Sequence, residues 1–427
     1  MFTTALTDPD RDPADTYAAS LGLGKAELWL GDYAAAASAF ALAREHAVDQ
    51  SARQAANTGL AQSLNAQDYP RAAYALVAPF AKGQLRPTLE VLRAMESLGW
   101  QDKSPAYLDA LTLSVIRESG VSQVLRGQED VAYAVAPQVE GSARASRDSD
   151  GLEIQQVGSA FRFAPRGKGA VVQTWGMAAD RTRVSAESRS WNMDSLSVTS
   201  QLRVNDIHRI DLDIGAARID AWDFAQGASS WTRQSSDHFS VTAAAERAPI
   251  LTDLAIGDRL IFNTYSLGAA FRPYAHWYVL PTYYRQTFSD GNARDGGTLR
   301  ILINPYDLPE TPAAIGAELS TRVFHSTRPS RGVYFNPESY RVTQLSVSGI
   351  YALNPDWKLR ANAGAGRQFI DGSGADVYSV GLSADGRLPS NGRLKLVFER
   401  SSAASGSSYG GPGYWSENVM LSIRYPL

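Results

Sequence analysis

The sequence contains no cysteine, which excludes disulfides, thiolate metal sites and a cysteine nucleophile, and fits any compartment. It also lacks an 18-residue apolar run, and its mean hydropathy is −0.24, so transmembrane helices are excluded. Charge of one sign is missing as well. A formal net charge of −3 over 427 residues gives no reason to expect nucleic acid. Histidine is scarce: His46, His208, His238, His276 and His325 are scattered, with no H-E-x-x-H pair and no cluster at metal spacing. The opening MFTTALTDPDRDPADTY has neither a basic n-region nor an apolar h-region, so it does not read as a signal peptide. An exported form of this chain would be a fragment or a mature product. A β-barrel survives every one of these exclusions, because its segments alternate and look polar on average.

What is present suits that survivor. Glycine (35), tyrosine (19) and tryptophan (9) favour strands, turns and aromatic girdles. The hydrophobic period divides the chain in two. Residues 1–130 are rich in Ala and Leu and helical in period. Within them, Leu23 to Ala43 matches the tetratricopeptide pattern: Gly24 sits early, Gly31-Asp32-Tyr33 marks the turn, and Ala36, Phe40 and Ala43 follow. Small residues let two helices approach while Tyr33 and Phe40 fill the groove between them. A second copy is expected around Gly59, Gln67-Asp68-Tyr69 and Ala72, and a degenerate third pair from Thr88 to Glu118. The alternative is an unrelated helical bundle. Two or three repeats are marginal alone, which implies further repeats before Met1.

Residues 131–427 alternate with period two to the end. In Asp356 to Phe369, DWKLRANAGAGRQF, the residues Trp357, Leu359, Ala361, Ala363, Ala365 and Phe369 fall on one face. Lys358, Arg360, Asn362 and Gln368 fall on the other. The same pattern sets Arg203 against Leu202 and Val204, and Arg209, Asp211 and Asp213 against Ile210, Leu212 and Ile214. It sets Arg300 against Leu299 and Ile301, Arg393, Lys395 and Glu399 against Leu394, Leu396 and Phe398, and Arg424 against Ile423 and Tyr425. At about 18 residues per strand and turn, this half accommodates about 16 strands, an even number as bacterial barrels require. Asn354-Pro355-Asp356 and Pro389 to Gly392 read as short turns, Thr327 to Glu338 and Ala403 to Gly413 as long loops, and Ile219 to Ser230 as a longer connection. A soluble sheet would hide its apolar face, but its other face need not be charged or small in every strand. The expectation is an α plus transmembrane β chain: helical repeats, then an antiparallel barrel. Leu359, Leu396 and Ile423 then face lipid. Arg203, Arg209, Asp211, Asp213, Arg300, Lys358, Arg360, Arg393, Lys395, Glu399 and Arg424 face an aqueous lumen.

Helical repeats feeding such a barrel, with Glu246 to Asp253 after a strand, Phe288 to Asn292 in a loop, Tyr334 to Tyr340 leading into a strand and Gly413-Tyr414 before the last one, resemble the bacterial exopolysaccharide exporters. The C-terminal region of cellulose synthase operon protein C is the nearest plan, and the poly-N-acetylglucosamine export porin is similar. The resemblance implies an outer-membrane conduit without enzymatic activity or cofactor. It implies periplasmic repeats, a polysaccharide chain as cargo, and synthase or export components of the periplasm and inner membrane as partners. Alternatives are a surface receptor used in phage adsorption, or a general porin.

Other motifs are weak. GSSYG at Gly406 to Gly410 matches the nucleophile-elbow pattern but lies in a Gly/Ser-rich stretch between strands, without the helix the elbow needs. DGSGAD at Asp371 to Asp376 has too few ligands for an EF-hand loop and reads as a plain outer loop. Gly22 and Gly24 precede no phosphate-loop Lys-Ser/Thr pair.

Overall fold

The computed structural model describes residues 12–111, 121–168, 170–186, 189–307, 311–329, 332–404 and 413–427. The chain forms two compact units, Met1–Val135 and Ala136–Leu427. The helical unit therefore runs a few residues past the composition shift at 130, because a helix over Val121–Val135 continues through it.

Helices of the first unit are α1 (Pro13–Leu30), α2 (Tyr33–Glu45), α3 (Gln50–Ala66), α4 (Pro70–Val77), α5 (Leu85–Leu98), the single turn α6 (Pro105–Leu108) and α7 (Val121–Val135). Three starts are fixed by aspartate caps. Asp12, Asp32 and Asp49 accept from the amides of Ala14, Ala35 and Ala52, satisfying donors that a helix start leaves unpaired. Helix α1 ends at Gly31 with φ +82°, the left-handed cap that glycine adopts without strain. Phe40 is wedged between α1 and α3: a Cβ added at Gly24 or Gly59 would lie 2.8 or 2.5 Å from its ring. Ala36 is fully buried beside it, and Tyr33 is half-buried with its carbonyl accepting from Gln67 Nε2 at 2.8 Å.

In the second copy Tyr69 is half-buried at the start of α4, but Ala72 is exposed. The inward position belongs to Ala73, which is completely buried. Asp68 takes φ +70° and the helix starts after Tyr69 rather than at it, which moves the buried set along by one residue. In the expected third pair, α5 begins before Thr88, whereas α6 is one turn long. Residues 112–120 of that pair lie outside the described residues.

The second unit is a closed antiparallel barrel of sixteen strands, each hydrogen-bonded to its sequence neighbours and the last to the first. They are β1 (Gln138–Asp148), β2 (Leu152–Arg162, resumed at Arg166–Lys168), β3 (Val171–Ala186), β4 (Arg189–Val204), β5 (His208–Ile219), β6 (Trp222–Gln234), β7 (Phe239–Pro249) and β8 (Ile261–Phe271). The circuit continues through β9 (Trp277–Phe288), β10 (Ala293–Asp307), β11 (Ala313–Ser326), β12 (Ser339–Asn354), β13 (Trp357–Ile370), β14 (Ser373–Arg387), β15 (Arg393–Ser401) and β16 (Ser416–Pro426). Both pieces of β2 pair with β3 and count as one stave. Closure removes the open edge that a sheet of this size would otherwise expose. Among the described residues no helix is long and apolar enough to span a membrane; a barrel spans with strands.

The expected long connection from Ile219 to Ser230 is instead a tight turn at Asp220-Ala221 followed by β6. Asp220 takes φ +49°, as a two-residue hairpin turn demands. Both faces of β6 carry small or polar residues through Gln226-Gly227-Ala228-Ser229-Ser230, so its alternation is faint in sequence. The three longest connections, 250–260, 327–338 and 402–415, all leave the same end of the barrel. We call it the loop end; the opposite, terminal end holds Gln138 and Pro426.

The two faces of the wall separate cleanly. Outward, Leu196, Ile214, Leu267, Leu345, Val347, Leu359, Leu382 and Leu396 are all exposed. An aromatic girdle rings the terminal end, where Phe239 packs on Phe271 with ring centroids 5.0 Å apart. There His208 stacks on Trp231 and accepts a hydrogen bond from its indole nitrogen at 3.2 Å. This histidine belongs to the girdle and lies on the outer face.

Candidate functional site

The register places the sequence-predicted lumen residues on one face. Lys358 stands opposite Asp385, which stands opposite Lys395, which stands opposite Ser422. Arg393 faces Arg424, Arg203 faces Arg209, Gln201 faces Asp211, and Thr199 faces Asp213. Arg300 pairs across to Ser320, Arg360 to Ser383, and Glu399 to Gly381. Because side chains alternate, this set faces opposite to the exposed leucines. It defines the lumen.

Much of the basic charge is matched by acids that sequence reasoning missed. Arg300 holds Glu318 in a two-pronged pair at 2.7 and 2.8 Å, Arg424 Nε donates to Glu140 at 2.9 Å, and Arg360 pairs with Asp385. Arg209 pairs with Asp211 at 2.8 Å, and Arg203 with Asp206 at 3.3 Å. Acids and bases are nevertheless unevenly distributed. Asp180, Asp211, Asp213 and Glu246 lie on the arc β3–β7, where a recess of about 450 Å³ is lined also by Arg162, Thr199, Gln201 and Ser230. On β13–β16 near the terminal end, Lys358, Arg360, Arg387, Arg393, Lys395 and Arg424 gather, outnumbering the carboxylates that meet them among the described residues: Asp385, Glu140 of β1 and Asp356 of the β12–β13 turn. A low-dielectric wall concentrates the field of such a cluster.

At the loop end the lumen changes character. Leu152, Val184, Met193, Ala217, Ile219 and Phe224 point inward there, buried against Ile256 of a short helix, α8 (Asp253–Gly257), from the 250–260 connection. Thr252 caps that helix, accepting from the Ala255 amide at 3.3 Å, and its hydroxyl donates to the Val333 carbonyl of the 327–338 connection at 2.5 Å. Tyr334 is buried, stacks on Phe288 at 5.0 Å, accepts from Asn292 Nδ2 at 3.0 Å and donates to Asp290 at 3.0 Å. Burial, together with the nearby Asp290 carboxylate, pushes its hydroxyl well above the usual tyrosine range. Asn292 also donates to Asn336 Oδ1 at 2.8 Å. Tyr340 donates to the Ala404 carbonyl at 3.2 Å, and Tyr414 is buried in the same cluster with Tyr284, Phe324 and Phe335.

The described residues of these connections therefore fold inward and pack on the lumen wall. The four segments that carried the sequence resemblance, around Thr252, Asn292, Tyr334 to Tyr340 and Tyr414, supply the core of this inner lid. Their convergence is tertiary and could not be read from order along the chain.

Arg294 holds the lid to the wall. It is 2% exposed, donates to the Phe335 carbonyl at 2.6 Å and to Gln286 at 3.2 Å, and lies 4.2 Å from the centre of the Phe324 ring and 5.2 Å from that of Phe288. Carbonyl, amide and π-faces replace a carboxylate. Burying a guanidinium without a counter-ion is costly, so the folded-in lid gives back part of what its aromatic packing gains. Sequence inspection gave no signal for Arg294, which shares parity with the lumen set but lies at a strand end.

Among the described residues no group of acids and histidines could hold a metal. Asp371-Gly372 is a two-residue hairpin turn whose carboxylate accepts from the Ser339 amide at 2.9 Å. GSSYG lies outside the described residues.

No family model matches the sequence, and no curated protein matches it. Solved structures are similar in fold. A bacterial polysaccharide outer membrane secretin superposes with a TM-score of 0.58 at 11% identity, covering 69% of this chain and 99% of that one. CdiB from Acinetobacter baumannii gives 0.43 at 12% identity over 68% of this chain and 60% of that one. OccK10 (OpdN) of Pseudomonas aeruginosa gives 0.36 at 12% over 68% and 98%. The barrel fold is thus shared with a polysaccharide outer membrane secretin.

Proposed function

We propose that this chain is an outer-membrane conduit that secretes an exopolysaccharide and carries no reaction of its own. A hydrated polymer cannot cross lipid without a continuous polar path, and the barrel wall offers one. The observation that carries the reading is the lid: the described residues of three connections pack inward on the lumen wall, and Arg294 ties the 327–338 connection to it. A pore for small solutes has no need to fill its own mouth. A secretion channel must stay shut between chains, and a buried arginine held by a carbonyl, an amide and two rings in place of a carboxylate offsets part of the closed state's packing gain. The fold similarity to a polysaccharide secretin agrees with this assignment.

In this reading the loop end faces outside and the helices are tetratricopeptide repeats in the periplasm. A groove of about 710 Å³ bounded by Lys25, Gln54, Gln62, Gln84, Arg86 and Arg93 receives the polymer or a synthase component. A cellulose-type polymer and a role in biofilm follow from the sequence resemblance alone. Deletion of the gene tests the proposal. Loss of surface polysaccharide supports it; loss of phage adsorption with polysaccharide intact favours a receptor, and loss of small-solute permeability alone favours a porin.

A further inference from the structure

The outer face of the barrel differs between its two ends. On β12 the outward residues run Arg341, Thr343, Leu345, Val347, Gly349, Tyr351 and Leu353 from loop end to terminal end, so the charge stands only at the loop end. The pattern recurs around the wall. Arg147, Arg181, Arg183, Arg218, Arg247, Arg285, Arg367 and Arg400 all share the outward parity near the loop end of their strands. At the terminal end, Arg166 and Arg233 are the arginines of outward parity among described strand side chains, beside the aromatic girdle.

Some of this belt is neutralised, as in Arg181–Asp194 at 3.2 Å and Arg218–Asp223 at 2.5 Å. One place is built differently. Arg341 and Arg367 are both exposed, and their guanidinium carbons lie 4.7 and 5.5 Å from the centre of the same Phe369 ring. The ring holds both cations on the outer surface, just above the leucine band; Asp376 stands opposite Arg367 across the strands, but no carboxylate hydrogen-bonds to either arginine among the described residues. A second shared ring, Trp415, lies 5.8 Å from Arg147 and 4.9 Å from Arg400, where the single carboxylate of Glu417 serves both.

We propose that the loop-end belt, centred on Arg341, Phe369 and Arg367, is a binding site for the phosphate groups of an anionic glycolipid in the outer leaflet. The chemistry fits. Two guanidinium forks present donors in the geometry phosphate accepts, Leu345 and Ala365 one step further from the loop end give acyl-chain contact, and the site sits at headgroup depth. The surface rests on the reading of the chain as a membrane barrel with its loop end outside, and goes beyond secretion.

The test uses the full chain purified in detergent and native mass spectrometry with two probes: a diphosphorylated lipid A-type glycolipid and the same lipid with its phosphates removed. Wild type should retain the phosphorylated lipid about tenfold more tightly, the worth of one charge-assisted hydrogen bond. R341Q/R367Q should lose that preference, while Arg233→Gln at the other end should keep it. Equal retention of the two lipids by wild type overturns the proposal. So does an unchanged preference in R341Q/R367Q, or an equal loss in Arg233→Gln. The wild-type comparison needs no variant, so misfolding of the double variant leaves the question answerable. A heat-dependent mobility shift on gels separates the two readings. Its presence without phosphate preference sinks only the glycolipid site; its absence sinks the barrel as well.

Discussion

Reversing one residue's polarity in the middle of β12 should cost far more on one face than on the other. Val347 is 55% exposed on the outer face, eight and seven positions from the ends of Ser339–Asn354. Strands rise about 3.4 Å per residue and tilt about 40° in such barrels, giving about 2.6 Å of depth per residue. Val347 therefore lies about 20 Å from either strand end, near the middle of an apolar band about 25 Å tall. An arginine there should destabilise the barrel by about 2–4 kcal/mol, whereas arginine at the neighbouring lumenal Ser348 should cost under about 1 kcal/mol. Leu359 is two positions from the strand start at Trp357. Leu359→Arg should cost only about 0–1 kcal/mol, since the long side chain reaches the interface. Urea unfolding from lipid vesicles, followed by tryptophan fluorescence, measures all three. Equal costs for Val347→Arg and Ser348→Arg would refute the assignment of faces.

Three further outcomes follow. Gly59→Ala places a methyl about 2.5 Å from the Phe40 ring and should cost about 1–3 kcal/mol by overpacking, recovered in part by adding Phe40→Leu; circular dichroism at a helical wavelength on the full chain reads both. Glu90 is buried, and desolvation raises its carboxyl above the usual range despite bonds from Asn65 and Arg93. With the folded pKa above the unfolded one, its contribution is full below about pH 4.5 and is lost as the pH rises through the folded value, so Glu90→Gln should flatten the helical melt's pH dependence in that window. The terminal-end cluster of Lys358, Arg360, Arg393, Lys395 and Arg424 should make the pore prefer anions; a reversal potential showing cation preference in a salt gradient would contradict it.

The sequence was most legible where each residue pair carries contrast. Leu359 and Arg360 differ so strongly that period two declares both strand and facing. In β6 the run Gln226 to Ser230 lacks that contrast, so the strand reads in sequence as a connection. Ala72 was misplaced for a subtler reason: one left-handed residue, Asp68, shifts the buried stripe, and backbone conformation at an aspartate leaves no mark on composition. Glu140, Glu318 and Asp385 were missed because their roles depend on which strand lies beside them. The lid lay furthest from view. Thr252, Asn292, Arg294, Tyr334 and Tyr414 come from different connections and strand ends, and only barrel closure brings them into one cluster.

The most direct test of the central claim locks that lid. The chain has no native cysteine, so Thr252→Cys with Val333→Cys joins the 250–260 and 327–338 connections, which already touch through a hydrogen bond of 2.5 Å, without competing thiols. In cells making the polymer, oxidation should stop its appearance at the surface and a reductant should restore it, with each single variant insensitive to both treatments. Undiminished secretion with the cross-link fully formed would contradict passage of the polymer through this mouth.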